Sequence, residues 1–421
     1  MAKIKHIAAR EVLNGKGDPS VEVTVVLNDN SIGVATSSNG TSVGSYEAFN
    51  LYDHDDARFK GMGMLKAIQT IDEIVTPKLV GLEATKQQLI DRTMIDLDGT
   101  QNKGRIGANT MLAVSMAVAK AAAASSVLPP YLYLREFLSN SNISAKIPAP
   151  IFTLINGGSY GAESVDFQDF LLMPASSSTY DQSLEMGVRA FNAVGDTLKM
   201  SNLYTLTTIA GGYGPALTNN IEVLNVIAKA LEATTMRLGF DVFLGINANA
   251  TFFYKGQQYR VKDKDTGQSA KSMTQFYQEL IKNYHILYLE DPLAEDDWDG
   301  WTNLTATLAQ DALIVGSDLT ATNPYRLQMA IDKRAVSAIT IKPNQIGTVI
   351  ESLAVVEVAK AAGLRIVVSD RSSETNEDFI ADFAVAVGAD YVRLGGPSRG
   401  EHVAKYNRLS QINSQLTLLQ K

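Results

Sequence analysis

The sequence predicts an α/β protein in two parts, an N-terminal α+β domain and a C-terminal (β/α)8-type barrel. Two patterns predict it. The opening stretch carries three β-rich segments, "KIKHIAAREVL", "SVEVTVVLND" and "SIGVATSS", joined by the turn sequences "NGKGDP" and "NDNS". The second half repeats short apolar strands that each end in polar residues, namely "VFLGINAN", "ILYLEDP", "LIVGSDL", "AITIKPNQ", "RIVVSDRS" and "YVRLGG". The last five recur about every 25 residues, the length of one βα unit, and eight such units close into a barrel. A chain of 421 residues is long enough for both parts.

Taken in order, the opening β segments read as an antiparallel unit. Helical patterns follow in "MLKAIQTIDEIVTPKLVG", "TKQQLIDRTMIDLDG" and the Ala-rich "GANTMLAVSMAVAKAAAASS". Strands followed by packed helices suggest α+β. "LPPYLYLREFLSNSNISAKIPAP" is rich in Ser, Asn and Pro, which puts the boundary near Ser139 to Pro148. The expected domains are therefore 1–138, a capping domain, and 139–421, the barrel.

Composition removes several functions. The chain has no cysteine, which excludes disulfides, thiolate catalysis and Cys-based metal centres. Its four histidines, His6, His54, His285 and His402, do not fall at predicted strand ends, so a histidine-centred metal site is not expected. A formal charge of −8 and a pI near 5.2 argue against a broad basic face, and no nucleic-acid partner is expected. No membrane span is expected either. The longest apolar stretch, "MLAVSMAVAKAAAASSVL", carries Lys120 and several serines and reads as a buried helix. With no signal-peptide pattern in "MAKIKHIAAREVLNGKG", a cytoplasmic setting is expected.

In a (β/α)8 barrel the strand C-terminal ends carry the site. Asn247, Glu290, Ser317, Lys342, Asp370 and Arg393 stand at those ends and should converge on one mouth. Any α/β sheet has polar strand ends, so one such residue means little, but six in register point to a ligand site.

Several longer motifs resemble the enolase family, the phosphopyruvate hydratases. They are "SVGSYEA", "MIDLDGTQNKGRIGANTMLAVSMAVAKAAAA", "LINGGS", "YLEDPLAEDDWDGW", "TATNP", "IKPNQIGT", "RSSET" and "EHVAKYNRL". The resemblance runs in order along essentially the whole chain. It implies an enolase-type fold, Mg²⁺ as cofactor, a homo-oligomer (dimer or higher), and the conversion of 2-phosphoglycerate to phosphoenolpyruvate and water in glycolysis. It makes Lys342 the base that takes the C2 proton. Arg371 and Ser372 match the phosphate-binding pair, Gln168 is kept, and Ser42 matches the loop serine of the second Mg²⁺.

The pattern breaks where the chemistry is most demanding. The family's "GDEGG", placed at the end of the third barrel strand, reads "TIAGGYG" here, so Ala210 replaces the general-acid Glu. Losing a positioned acid typically costs about 10²- to 10⁴-fold. The three family metal carboxylates correspond to Asn247, Glu290 and Ser317, and only Glu290 is still a carboxylate. Mg²⁺ favours carboxylate, phosphate and water oxygens. Each lost charge near 4 Å is worth roughly 1 to 4 kcal/mol. Asp318 adjoins Ser317, but strand alternation would point it the other way. The family's loop histidine is Tyr160, and the histidine of "SHRSGET" is Asp370, an anion beside the expected phosphate and carboxylate. A family lysine is Arg393, and the Glu of "QEF" is Asp169.

The expectation is an enolase-like protein with lost or strongly reduced turnover, weak or absent Mg²⁺ binding, and a binding or scaffold role toward a small phosphorylated or carboxylate ligand. The alternatives are a working Mg²⁺-dependent hydratase and an enolase-type site acting on another such ligand. The resemblance also allows cell-surface display with plasminogen-type binding through lysines such as Lys421.

Overall fold

The computed structural model describes residues 2–38, 40, 43–139, 145–162 and 165–419. Ser42, Lys421 and part of the expected boundary segment lie outside them.

The opening β-rich stretch forms β1 (Ile4–Leu13), β2 (Pro19–Leu27) and β3 (Ile32–Ser37), an antiparallel sheet in that order. Along β2, Val21, Val23, Val25 and Leu27 alternate onto the buried face. That face packs on the helix α2 (Ala108–Ser125), which in turn packs on α1 (Gln87–Asp98). Helix α2 is apolar on nearly every side and buried along most of its length, as its Ala-rich sequence requires. Gly33 makes the close approach of β3 to α2 feasible: a Cβ there would lie 2.1 Å from the Ala117 carbonyl oxygen and 2.3 Å from the Ala121 nitrogen. Gly33→Ala is therefore expected to cost at least the upper end of the ~1–3 kcal/mol typical of overpacking, read as a lowered urea midpoint.

Among the described residues, eight strands close into the barrel: β4 (Ala149–Asn156), β5 (Asp169–Pro174), β6 (Val242–Asn247), β7 (Ile286–Glu290), β8 (Leu313–Gly316), β9 (Ala338–Ile341), β10 (Arg365–Ser369) and β11 (Tyr391–Arg393). All six segments read as strands in the second half are among them. Their unbroken apolar runs fit strands covered on both faces. The barrel interior is filled by Ile151, Leu171, Met173, Tyr288, Val315, Ala338 and Val367.

The barrel is not eight repeats of one βα unit. Strand β5 runs antiparallel to both β4 and β6. This reversal brings Asp169, the first residue of β5, to the end where the other strands finish. The register aligns Asn156 with Asp169, Asp169 with Asn247, and Asn247 with Glu290. The "TIAGGYG" segment is also not a barrel strand. Ile209 and Ala210 lie in a turn, and Tyr213 makes isolated bridges to Ile155 of β4 and to Thr207 just upstream of the segment. Gly211, with φ of +81°, permits the turn.

Candidate active site

The strand ends open into one cleft of about 530 Å³, its mouth included. Asn247, Glu290 and Arg393 are the last residues of their strands, while Ser317, Lys342 and Asp370 follow theirs by one. All six line the cleft, with Asp169 from the reversed strand. Tyr160, Gln168, Ala210, Arg371 and Ser372 complete the sequence-derived set there, leaving Ser42 outside the described residues.

Arg393 dominates the floor. Its Nη2 donates to Glu290 Oε1 at 2.9 Å, and its Nη1 reaches Asp169 Oδ2 at 3.4 Å. The second Glu290 oxygen accepts from the Tyr288 hydroxyl. Asn247 Nδ2 donates to Asp169 Oδ2 at 2.9 Å, and Asn156 Nδ2 to Oδ1 at 2.5 Å. Glu290, Asp169 and Asn247 are all buried. Burial pushes the Glu290 carboxyl up, but the guanidinium of Arg393, helped by Lys342, outweighs it and holds the group below the usual range. At Asp169 burial wins over Arg393, and the carboxyl is raised.

These donors do not suit a hard divalent cation held by three carboxylates. Of the three family positions, Asn247 presents an amide already donating to Asp169, and Ser317 presents a hydroxyl. Glu290 has both oxygens engaged by Arg393 and Tyr288.

Arg371 forms a bidentate pair with Glu47, Nη1 to Oε2 at 2.7 Å and Nη2 to Oε1 at 3.1 Å, with both side chains buried. Glu47 also accepts from the Gly44 N–H at 3.0 Å, so the segment after β3 reaches over the barrel mouth. Burial would raise the Glu47 carboxyl, yet Arg371 holds it below its ordinary value.

The structure corrects the reading of Asp318. It lies beyond the end of β8, where strand alternation no longer applies, and it lines the cleft beside Ser317. The Asp291 carboxylate fixes this bend, accepting from the Ser317 and Asp318 N–H groups, each at 2.9 Å. Burial, with Asp318 and Glu290 close by, pushes Asp291 up. Burial likewise raises Asp318, with Lys342 opposing.

Asp370 is not a bare anion facing a ligand. His402, from the C-terminal helix Gly400–Leu419, places Nδ1 3.1 Å from Asp370 Oδ2 and Nε2 2.9 Å from the Ile209 carbonyl oxygen. Both partners are acceptors, so both nitrogens can donate only in the imidazolium form. Burial opposes that form, but the hydrogen bond and charge of Asp370 prevail and raise the pKa above 6.5. A raised folded-state value means that the pair stabilises the fold below the unfolded pKa and loses this contribution as pH rises through the folded one. The His402 ring should titrate by NMR above 6.5, and Asp370→Asn should lower the midpoint. An unmoved midpoint would sink that assignment.

Sequence reasoning missed Glu47, Asp291 and His402 at this site. Glu47 and Asp291 stand inside the quoted motifs "SVGSYEA" and "YLEDPLAEDDWDGW", which was the available signal. His402 is in "EHVAKYNRL", a helical stretch with nothing local to tie it to a strand end.

Ala210 lines the cleft, and its methyl side chain has no ionisable proton to donate. Lys342 also lines it, and among the described residues its ammonium makes no ion pair within 4.0 Å. The arrangement can therefore offer the Lys342 amine in a cleft where Glu290 and Asp169 share the Arg393 guanidinium.

Two family models match the chain, the enolase N-terminal domain over residues 4–134 and the enolase C-terminal TIM barrel domain over residues 144–420. The enolase of Acidothermus cellulolyticus is 42% identical over 416 residues, covering 99% of this chain and 95% of that protein. With family models matching both halves and a relative 42% identical over 99% of its length, the chain belongs to the enolase family.

Proposed function

We propose that this enolase-family protein has lost, or retains only a small part of, the dehydration of 2-phosphoglycerate, and that its cleft binds a small phosphorylated or carboxylate ligand. The donor set at the three strand ends carries this reading: one carboxylate, Glu290, stands between an amide, Asn247, and a hydroxyl, Ser317. Abstraction of an α-proton from a carboxylate builds a dianion, which needs concentrated positive charge to be reached. Lys342 is the base in this reading, and it keeps its place at the mouth. Arg371 and Ser372 would take the phosphate, with Arg371 shared with Glu47. Ala210 supplies no proton to a leaving hydroxyl. At these three positions Mg²⁺ would meet only Glu290 as a charged ligand, so its binding there is weak in this reading.

The 42% identity to a protein named enolase favours the other reading, a working Mg²⁺-dependent hydratase of glycolysis. An assay decides: purified protein, 2-phosphoglycerate and excess Mg²⁺, with phosphoenolpyruvate followed by absorbance. Release at an ordinary enolase rate overturns the proposal. The setting that goes with either reading is cytoplasmic and homo-oligomeric. Among the described residues no helix is long and apolar enough to cross a membrane.

A further inference from the structure

We infer that the Arg393 guanidinium takes the place of a divalent cation at the barrel mouth, so that the resident positive charge of this cleft is part of the chain. The inference deepens the reading above, since a ligand would meet a fixed guanidinium rather than a metal, but it is tested apart from turnover.

Three observations carry it. The first is reach. Arg393 ends β11, which pairs with β4 and β10, whereas Glu290 ends β7 on another part of the barrel wall. The side chain crosses the mouth to place Nη2 2.9 Å from Glu290 and Nη1 3.4 Å from Asp169. The second is charge. Asp169, Asn247 and Glu290 stand side by side in register. With an amide at 247 this row carries two carboxylates, and the one guanidinium of Arg393 lies against both. The amide at 247 adds no charge for a dication to meet and instead donates to Asp169 at 2.9 Å. The third is an orphaned donor. Arg393 Nε is buried and, among the described residues, has no acceptor. A buried N–H without a partner is costly, and an anionic ligand oxygen or a water would satisfy it.

A guanidinium and a metal ion compete for the same Glu290 oxygen. Restoring the family carboxylates is therefore not enough to restore a metal site while Arg393 is present. The test is a substrate-free Mn²⁺ titration, with free Mn²⁺ read by electron paramagnetic resonance. Five proteins are compared: the unmodified chain, Arg393→Met, Asn247→Asp with Ser317→Asp, and that pair combined with Arg393→Met or with Arg393→Lys. Adding Arg393→Met to the aspartate pair should tighten Mn²⁺ binding by about 10-fold or more, since it removes a full charge next to the ion. Arg393→Lys keeps the charge but loses the fork that grips Glu290 and Asp169, and should give a smaller gain in a variant better able to fold. Two results overturn the inference: micromolar Mn²⁺ affinity in the unmodified chain, or equal affinity of the aspartate pair with and without Arg393. An ordinary enolase rate would overturn only the functional reading and leave this result standing.

Discussion

Supplied with 2-phosphoglycerate and excess Mg²⁺, the purified protein is expected to release phosphoenolpyruvate at least about 10³-fold more slowly than an ordinary enolase. In the proposed reading a missing acid alone would account for about 10²- to 10⁴-fold, because the C3 hydroxyl would leave from a cleft in which position 210 is alanine. In the same reading charge stabilisation of the dianion would be short as well, with Asn247 and Ser317 at the positions of charged ligands. Each lost charge near 4 Å is worth roughly 1 to 4 kcal/mol. These losses bear on one transition state and are not additive, so single reversions help little. Ala210→Glu by itself should recover less than about 10-fold, since the proton it donates is of use only once the carbanion is reached. Recovery should need Ala210→Glu, Asn247→Asp, Ser317→Asp and Arg393→Lys together. Ordinary turnover by the unmodified chain would sink the prediction. It would mean that Asp169, Asp318, Asp370 or His402, all of which line the cleft, has taken over the missing role.

Replacing Arg393 by methionine should lower stability by about 3–5 kcal/mol at neutral pH, because it leaves buried carboxylates without their counter-charge. Glu290 is completely buried and Asp169 nearly so, and neither can turn to solvent. The pH dependence carries the diagnosis. In the unmodified chain Glu290 is held below its ordinary range, so its contribution is present at neutral pH and is lost as pH falls through the folded value. Without Arg393 both carboxyls should rise well above their unfolded values. The penalty is then full above the raised values and relieved as pH falls through them. Urea unfolding of both proteins across the acid range measures the difference. A small loss, or a loss that does not shrink toward acid pH, would show that Arg393 is not the counter-ion of this floor.

The fold was legible because it rests on local patterns. The alternating valines of β2, the all-round apolar surface of α2 and the regular return of strands ending in polar residues each follow from side-chain periodicity. The strand-end rule was enough to bring Asn247, Glu290, Ser317, Lys342, Asp370 and Arg393 to one mouth. The "TIAGGYG" segment lies between the second and third barrel strands, β5 and β6, rather than at the end of the third as the family motif implied, and the outward assignment of Asp318 failed because the strand ends before it.

By itself, then, the sequence determined the kind of barrel and which residues reach its mouth. Each of these depends on residue type and spacing along one segment. Only the tertiary structure decided who pairs with whom. Strand β5 runs backwards and so delivers Asp169 beside Asn247, and Arg393 then spans Asp169 and Glu290. Glu47 comes from the N-terminal part to hold Arg371, and His402 from the last helix to hold Asp370. These pairs join residues up to 324 positions apart, and their formation depends on barrel closure and strand register, which no local periodicity encodes.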